Sequence, residues 1–331
     1  MAFKLTRHLS GEEQKYEQMI LRYIESYQTE WTFSGAQSDV VGRIYHKVLR
    51  EHPEYFWLSG QYHGTIRTLG FLSTLTLIPT PEGSAAQIAN MRRQLEHITD
   101  VLIASAKRHS SVLYEQILFL HDYLVIHTDY KLGAPHCYDA YGCLVLHSAA
   151  CAGYAAAFQL LMGKLGVECG RVSGWSSSAR TGEVPHAWNY IKLSDGYYFV
   201  DVTWDDPIIQ GGAQTDNLSH DFFCIDLQEL LLTHTPAEDQ FMPHSYGKAF
   251  NYYLYRGWYL ERYSFPAVRA LAIRQLQHSD AVFLKFGTKS EAERAKKDLI
   301  DSHRVFSIPG LSRGISYSVS KSGFVLHISR K

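Results

Sequence analysis

The segment from residue 151 to residue 204 constrains the fold more than any other part of the chain. It begins with CAGYAAAFQLLMGKLG, which predicts a helix of ~15 residues ending at Gly166, a typical residue after a helix C-terminus. Three segments rich in Val, Ile and aromatic residues follow, VECGRVSGW, HAWNYIKL and YYFVDVTW, and they predict strands. Ser194-Asp195-Gly196 is a hairpin signal between the last two. A helix followed by antiparallel strands predicts an α+β fold.

The first third of the chain has helical periodicity. Apolar residues spaced three and four apart predict a helix over residues 12–27, and Ser10 with Glu13 predicts a capping box at its start. Further helices are predicted over residues 38–50, 84–108 and 111–127. Residues 66–78, rich in Thr, Leu and Ile, are expected to be extended. We therefore predict a mainly helical N-terminal region over residues 1–111.

The end of the chain has a separate pattern. A short strand, a charged helix and a hairpin follow one another at residues 281–286, 289–302, 315–319 and 323–328. This β-α-β-β order predicts a small accessory α+β domain over residues 246–331. Residues 112–245 remain as the core of the protein.

Composition excludes several classes of function. The chain has 32 Lys+Arg against 33 Asp+Glu, a formal net charge of -1, so we expect no nucleic-acid partner. No apolar stretch reaches ~18 residues, so no membrane insertion is expected. The cysteines include no CxxC pair, and HExxH, P-loop, GxGxxG and DxDxDG patterns are absent. The sequence therefore predicts neither a metal nor a cofactor, and it does not indicate an oligomeric state.

The start of the chain, MAFKLTRHLSGEEQKY, lacks the apolar segment and cleavage site of a signal peptide. We therefore expect a cytoplasmic protein. A secreted protein is the alternative, if the sequence lacks its own signal peptide.

The odd count of five cysteines predicts at least one free thiol, and Cys151 is the candidate. It lies where the Ala-rich helix is predicted to begin, and the unpaired N–H groups of a first helical turn favour a thiolate. Small neighbours leave the sulfur accessible. The alternative is a buried hydrophobic thiol, as most free cysteines are. A redox or metal protein would instead require Cys137, Cys143 and Cys151 to cluster.

A nucleophilic thiol needs a base and a group that orients the base, and His186 and Asp201 follow on adjacent predicted strands. A Ser194-Asp195 loop pairs Trp188 with Asp201 and places Asp201 diagonal to His186, within reach. With a loop at Asp195-Gly196, the Asp201 side chain reaches His186 poorly. With a three-residue loop, Asp201 lies on the opposite face of the hairpin from His186. The sequence permits each of these registers.

Together these motifs resemble a known family. CAGYA at 151–155, HAWNY at 186–190 and VDVTWDDP at 200–207 resemble the transglutaminase-like superfamily, and its bacterial transglutaminase-like proteins in particular. HDYLV at 121–125 and YDAYG at 138–142 extend the likeness, which covers residues 112–207 well and does not continue after about residue 230. The resemblance implies a papain-like core with the nucleophile helix on an antiparallel sheet.

It also implies Cys151 as nucleophile, His186 as general base and acid, and Asp201 as orienter. The implied reaction is acyl transfer on amide bonds of a peptide or protein, as peptidase or as transglutaminase or deamidase. A catalytically inactive module that binds protein or glycan is the alternative. His147 departs from the family's usual sequence before the nucleophile and is expected to alter the lip of the pocket.

Three further residues are candidates for the pocket. Tyr141 or His121 could supply a second oxyanion donor, although a structural role is favoured for each. Trp188 is expected to pack beside the imidazole. Asp205 and Asp206 are expected to be solvated or to cap the N-terminus of a helix.

Overall fold

The structure is a computed structural model that describes residues 9–178, 182–206, 218–238, 240–245, 247–312 and 314–330. Its α-helices are α1 Gly11–Glu25, α2 Ser38–Glu51, α3 Ala85–His109, α4 Leu113–His127, α5 Ala140–Leu144, α6 Cys151–Leu165, α7 Val202–Asp205, α8 Leu227–Leu230, α9 Tyr252–Tyr255, α10 Phe265–Gln275 and α11 Lys289–Lys296. Its strands are β1 Trp31–Ser34, β2 Leu58–Leu69, β3 Leu72–Pro81, β4 Asp129–Tyr130, β5 Ser148–Ala149, β6 Cys169–Ser178, β7 Gly182–Leu193, β8 Gly196–Val200, β9 Phe223–Ile225, β10 His234–Pro236, β11 Tyr259–Leu260, β12 Ala281–Phe286, β13 Ile315–Val319 and β14 Val325–Arg330. Pro207, the last residue of the VDVTWDDP motif, lies outside the described residues.

The central sheet confirms the predicted α+β fold. Its strand order is β10-β6-β7-β8-β9, and all neighbours are antiparallel. Helix α6 packs on this sheet, and Gly166 ends the helix in a left-handed conformation with φ +80°. The buried amide of Asn189 on β7 donates to the carbonyls of Ala155 at 3.0 Å and Gly170 at 3.3 Å. This amide fixes the nucleophile helix against the sheet.

The N-terminal region combines helices with a three-stranded sheet. Ser10 and Glu13 form the predicted capping box of α1. The segment expected to be extended over residues 66–78 is longer and folds back on itself, because β2 and β3 form a hairpin and β1 adds to β3. The turn occurs at Gly70, whose φ of +60° favours glycine.

Many of the buried hydrophobic side chains belong to two large clusters of unequal size. One runs from Tyr16 to Cys224 and includes side chains of both the N-terminal region and the central sheet. The other runs from Val268 to Ile328. The domain boundaries after residues 111 and 245 remain predictions.

The C-terminal segment has the predicted strand and helix order, extended by α10 and β11. Its sheet order is β11-β12-β14-β13, and a π-helical turn, Lys297–Asp301, completes the helix predicted over 289–302. Lys285 Nζ on β12 lies 2.7 Å from both carboxylate oxygens of Glu229, which comes from α8. Both side chains are buried, and Ser322 Oγ donates to the same carboxylate at 3.3 Å. The segment is therefore joined to the rest of the protein through a buried ion pair.

None of the described helices is long and apolar enough to cross a bilayer. The cytoplasmic location stays a prediction.

Candidate active site

The loop before α6 determines where Cys151 lies. The backbone N–H of Ala150 donates to the Cys137 carbonyl at 2.7 Å, and Cys151 is the first residue of the helix. A Cβ at Gly153 would lie 2.5 Å from the same carbonyl oxygen, so only glycine allows this close approach. The Cys151 side chain is partly exposed at the helix N-terminus.

The β7–β8 hairpin decides among the registers that the sequence permits. Leu193 pairs with Gly196 and Asn189 pairs with Val200, so Ser194-Asp195 is the two-residue loop. Asp201 follows β8 directly and caps α7, where its Oδ1 accepts from the backbone N–H of Trp204 at 3.1 Å. The segment predicted to stay extended to Trp204 therefore becomes helical after Asp201.

This register brings Cys151, His186 and Asp201 together. His186 Nε2 lies 2.7 Å from Asp201 Oδ2, and the Cys151 side chain lies close enough to the imidazole to contribute to its pKa. Burial alone would lower the pKa of His186, but the charge and hydrogen bond of Asp201, together with Cys151, raise it to about 10. Asp201 is 1% exposed, and its imidazole partners hold its pKa well below the usual range despite burial. The charge of Asp201 therefore favours the protonated form of the His186 imidazole.

His234, a second histidine on the same carboxylate, was not found from the sequence. Its Nε2 lies 2.9 Å from Asp201 Oδ2, and its Nδ1 lies 2.9 Å from the hydroxyl of Thr233. Burial lowers the pKa of His234, which favours a neutral ring. It comes from β10, at the far side of β6, and no motif in the sequence marks it.

Aromatic rings enclose the imidazole of His186. Trp188 is buried and stacks beside it with ring centroids 6.1 Å apart and planes at 25°, as expected from the sequence. Trp204 lies 5.9 Å from His186 and 4.7 Å from His234. Lys321, from the β13–β14 turn, places its Nζ 4.2 Å from the centre of the Trp204 ring. The C-terminal segment thus reaches the edge of the site.

The other predicted pocket residues lie elsewhere. The Tyr141 hydroxyl donates to Gln94 Oε1 at 2.6 Å, and His121 lies between Asp122 and Asp205. Because these polar atoms are engaged away from Cys151, the geometry does not support the oxyanion role considered for Tyr141 or His121. His147 is exposed just before β5, with a positive φ of 54°.

The expectation that Asp205 and Asp206 are solvated or cap the N-terminus of a helix was wrong, because Asp201 is the N-cap of α7. Both are buried. Asp205 Oδ1 accepts from the backbone N–H of Phe222 at 2.9 Å, and Asp206 accepts from the Tyr154 hydroxyl at 2.6 Å. Burial raises the pKa of each carboxyl to about 6. These carboxylates anchor the turn that follows Asp201.

All five cysteines are free thiols. Burial raises the pKa of Cys143 to about 12, and it also raises the pKa of Cys169 and Cys224. These three thiols therefore stay protonated at neutral pH, unlike a thiol paired with an imidazolium.

Three clusters among the described residues have ligand atoms close enough to hold a metal ion: His121, Asp122 and His220; His186, Asp201 and His234; Glu82, His136 and Asp139. Each cluster contains an imidazole-to-carboxylate distance typical of a hydrogen bond, such as 2.8 Å for His220 Nε2 to Asp122 Oδ1, although His136 Nδ1 lies 3.7 Å from Glu82 Oε2. Residues of one cluster, such as His220 and Asp122, are far apart in the chain, so no local sequence pattern marks the cluster.

Comparison with known proteins gives a family match. Residues 102–202 match the model of the transglutaminase-like superfamily, and this range contains Cys151, His186 and Asp201. Kyphoscoliosis peptidase from Homo sapiens is 33% identical over 101 residues, which cover 28% of this chain and 14% of that protein. The chain therefore matches only a small part of that relative.

Solved structures show weaker likeness. The crystal structure of a TGase has 12% identity and a TM-score of 0.30, and the match covers 64% of this chain and 51% of that chain. The periplasmic domain of TgpA from Pseudomonas aeruginosa has 17% identity and a TM-score of 0.28, over 40% of this chain and 54% of that chain. Because both TM-scores are below 0.5, the family assignment rests on the sequence match.

Proposed function

Residues 102–202 belong to the transglutaminase-like superfamily, and we propose that the chain is a cysteine-dependent acyl-transfer enzyme acting on amide bonds of peptides or proteins. The observation that carries the proposal is the His186–Asp201 hydrogen bond beside Cys151 at the N-terminus of α6. Nucleophile, base and orienter in this order are the minimum set for thiol acyl transfer.

In the proposed reaction the Cys151 thiolate attacks the carbonyl carbon of a carboxamide. The C–S bond forms as the carbonyl electrons move to oxygen, and the backbone N–H of Cys151 is available to stabilise that oxyanion. His186 then gives its proton to the departing nitrogen, the C–N bond breaks, and a thioester remains. Asp201 stabilises the imidazolium and holds its orientation throughout.

The thioester is resolved by a second nucleophile that loses its proton to His186. Water gives a carboxylic acid, so the enzyme acts as a peptidase or deamidase, and an amine gives a new amide, so it acts as a transglutaminase. The same two groups serve both outcomes, so the choice depends on which nucleophile reaches the thioester.

The test is incubation with a peptide library and a labelled amine, with wild-type protein and Cys151→Ala compared side by side. Label incorporated only by the wild type identifies transamidation, and cleavage without label identifies a peptidase. If neither product depends on Cys151, the enzyme proposal is wrong and the inactive binding module becomes the better explanation.

A further inference from the structure

A cavity of about 340 Å³ lies beside the proposed nucleophile. Ala152 and Ala187, which directly follow Cys151 and His186, line one side of it. The C-terminal end of α2 and the segment after it, residues 49–60, line the other side. The cavity therefore lies next to the two backbone segments that carry the reacting side chains.

Two arginines, Arg50 and Arg171, are among the residues that line the cavity. Arg171 donates to the Leu49 carbonyl at 2.8 Å and to the Arg50 carbonyl at 2.9 Å and 3.2 Å, which fixes its side chain against the end of α2. Burial and then the charge of Arg50 lower the pKa of Arg171. The two cations are thus close enough to repel each other.

No carboxylate among the described residues forms an ion pair with Arg50 or Arg171. The acidic groups that influence Arg171 are Asp139 and Glu54. Asp139 accepts from the backbone N–H groups of Tyr141 and Gly142 and lies 2.7 Å from His136 Nδ1.

Glu54 is also engaged, since its Oε1 lies 2.9 Å from His52 Nδ1. Both nearby carboxylates thus have other partners. Among the described residues these two cations have no ion-pair partner, so an incoming anion would gain charge attraction from both and hydrogen bonds from the N–H groups that remain available.

We propose that this cavity is a subsite for a carboxylate of the substrate, so that the chain acts on peptides bearing a Glu or Asp side chain, or a free C-terminus, close to the amide attacked by Cys151. The inference rests on the proposed function and adds the substrate class to it. Arg50 and Arg171 bind the carboxylate, and the scissile amide extends past Ala152 toward the thiol.

The test is affinity selection on immobilised Cys151→Ala protein, which retains peptides without turning them over. Three matched pools of random hexapeptides are applied: amidated peptides with one Glu, the same peptides with Gln in its place, and the Gln peptides with a free C-terminal carboxylate. We expect about fivefold or greater enrichment of a carboxylate pool over the amidated Gln pool, measured by mass spectrometry. Enrichment of the Glu pool identifies a side-chain carboxylate, and enrichment of the third pool identifies the chain terminus.

Charge reversal provides the control. Arg50→Glu in the Cys151→Ala background should abolish the enrichment, because its backbone carbonyl still binds Arg171 while its charge is reversed. Arg43→Glu makes the same change on the exposed face of α2, outside the cavity, and should retain the enrichment. Thermal melts of both variants show whether each keeps its fold, and Arg50→Gln replaces Arg50→Glu if charge reversal unfolds the protein.

Equal recovery of the three pools, or equal enrichment by the Arg50 and Arg43 variants, would overturn the subsite. If wild type turns over peptides while the pools are recovered equally, the subsite is wrong and the proposed function stands. If recovery requires the carboxylate and Arg50, but no product depends on Cys151, the subsite stands and the enzyme proposal is wrong.

Discussion

Replacing Asp201 with Asn tests the proposed active site most directly. Asn keeps the shape of the side chain but removes the charge that faces His186 Nε2 at 2.7 Å and His234 Nε2 at 2.9 Å. That charge helps to raise the pKa of His186 from 6.5 to about 10. At about 1.4 kcal/mol for each pKa unit, the net rise corresponds to about 5 kcal/mol in favour of the imidazolium, which remains after burial has opposed the contributions of Asp201 and Cys151.

The assay is alkylation of Cys151 by iodoacetamide between pH 6 and pH 9, followed by peptide mapping. In the wild type the imidazolium maintains the thiolate, so the rate should change by less than about threefold across this range. In Asp201→Asn, burial favours a neutral ring, and the rate at pH 6 should fall about 100-fold below the rate at pH 9, as for an ordinary thiol. The value of kcat/KM should fall by about 10²–10⁴-fold.

Asp206→Asn is the matched control, because it removes another buried carboxylate on the same turn, one that bonds to Tyr154 rather than to His186. It should keep the wild-type alkylation profile. If Asp201→Asn reacts at pH 6 as fast as the wild type, Asp201 does not maintain the ion pair and the reasoning is refuted.

Three other outcomes are expected. Gly153→Ala should lower the free energy of unfolding, measured by chemical denaturation, by about 1–3 kcal/mol, because the new Cβ would lie 2.5 Å from the Cys137 carbonyl oxygen. Gly163→Ala on the same helix is the control: its Cβ would have no atom within 4 Å outside its own helix, so it should be neutral or stabilising. Burial opposes the charge of His121, but the neighbouring carboxylates raise its pKa to about 9. The contribution of the charged imidazole to stability is therefore complete below pH 6.5 and is lost toward pH 9. The melting temperature should fall between these pH values, and it should fall less in His121→Gln. Tyr141→Phe should change kcat by less than about twofold, since its hydroxyl is engaged away from Cys151, and a 100-fold loss would restore the oxyanion role.

Local signals predicted the parts of the site that depend on near neighbours in the chain. The helix that begins at Cys151 and is capped by Gly166, and the capping box of α1, each follow from side chains or backbone geometry within a few residues, and the turn residues marked the hairpin while leaving its register open. The hairpin register then places Asp201 beside His186, so this pair follows from the sequence once the turn is known.

Long-range pairing explains what the sequence did not predict. His234 reaches Asp201 only because β10 pairs with β6, and Lys321 reaches Trp204 only because the C-terminal segment packs against the core. Asp205 looked solvated because its partner, His121, lies on α4, far upstream. No local pattern encodes these contacts, since each depends on the relative placement of whole elements.

The buried contact between Glu229 and Lys285 restricts how this protein can be shortened. A chain cut after residue 245, at the boundary suggested by the sequence pattern, would retain Glu229 and lose both Lys285 and Ser322. Where the carboxylate stays buried, the loss of its cation costs about 3–5 kcal/mol, a large share of the stability of a domain. Glu229→Gln removes that cost, so an isolated catalytic fragment is best expressed both with and without this change, and a failure to express without it would say nothing about the active site.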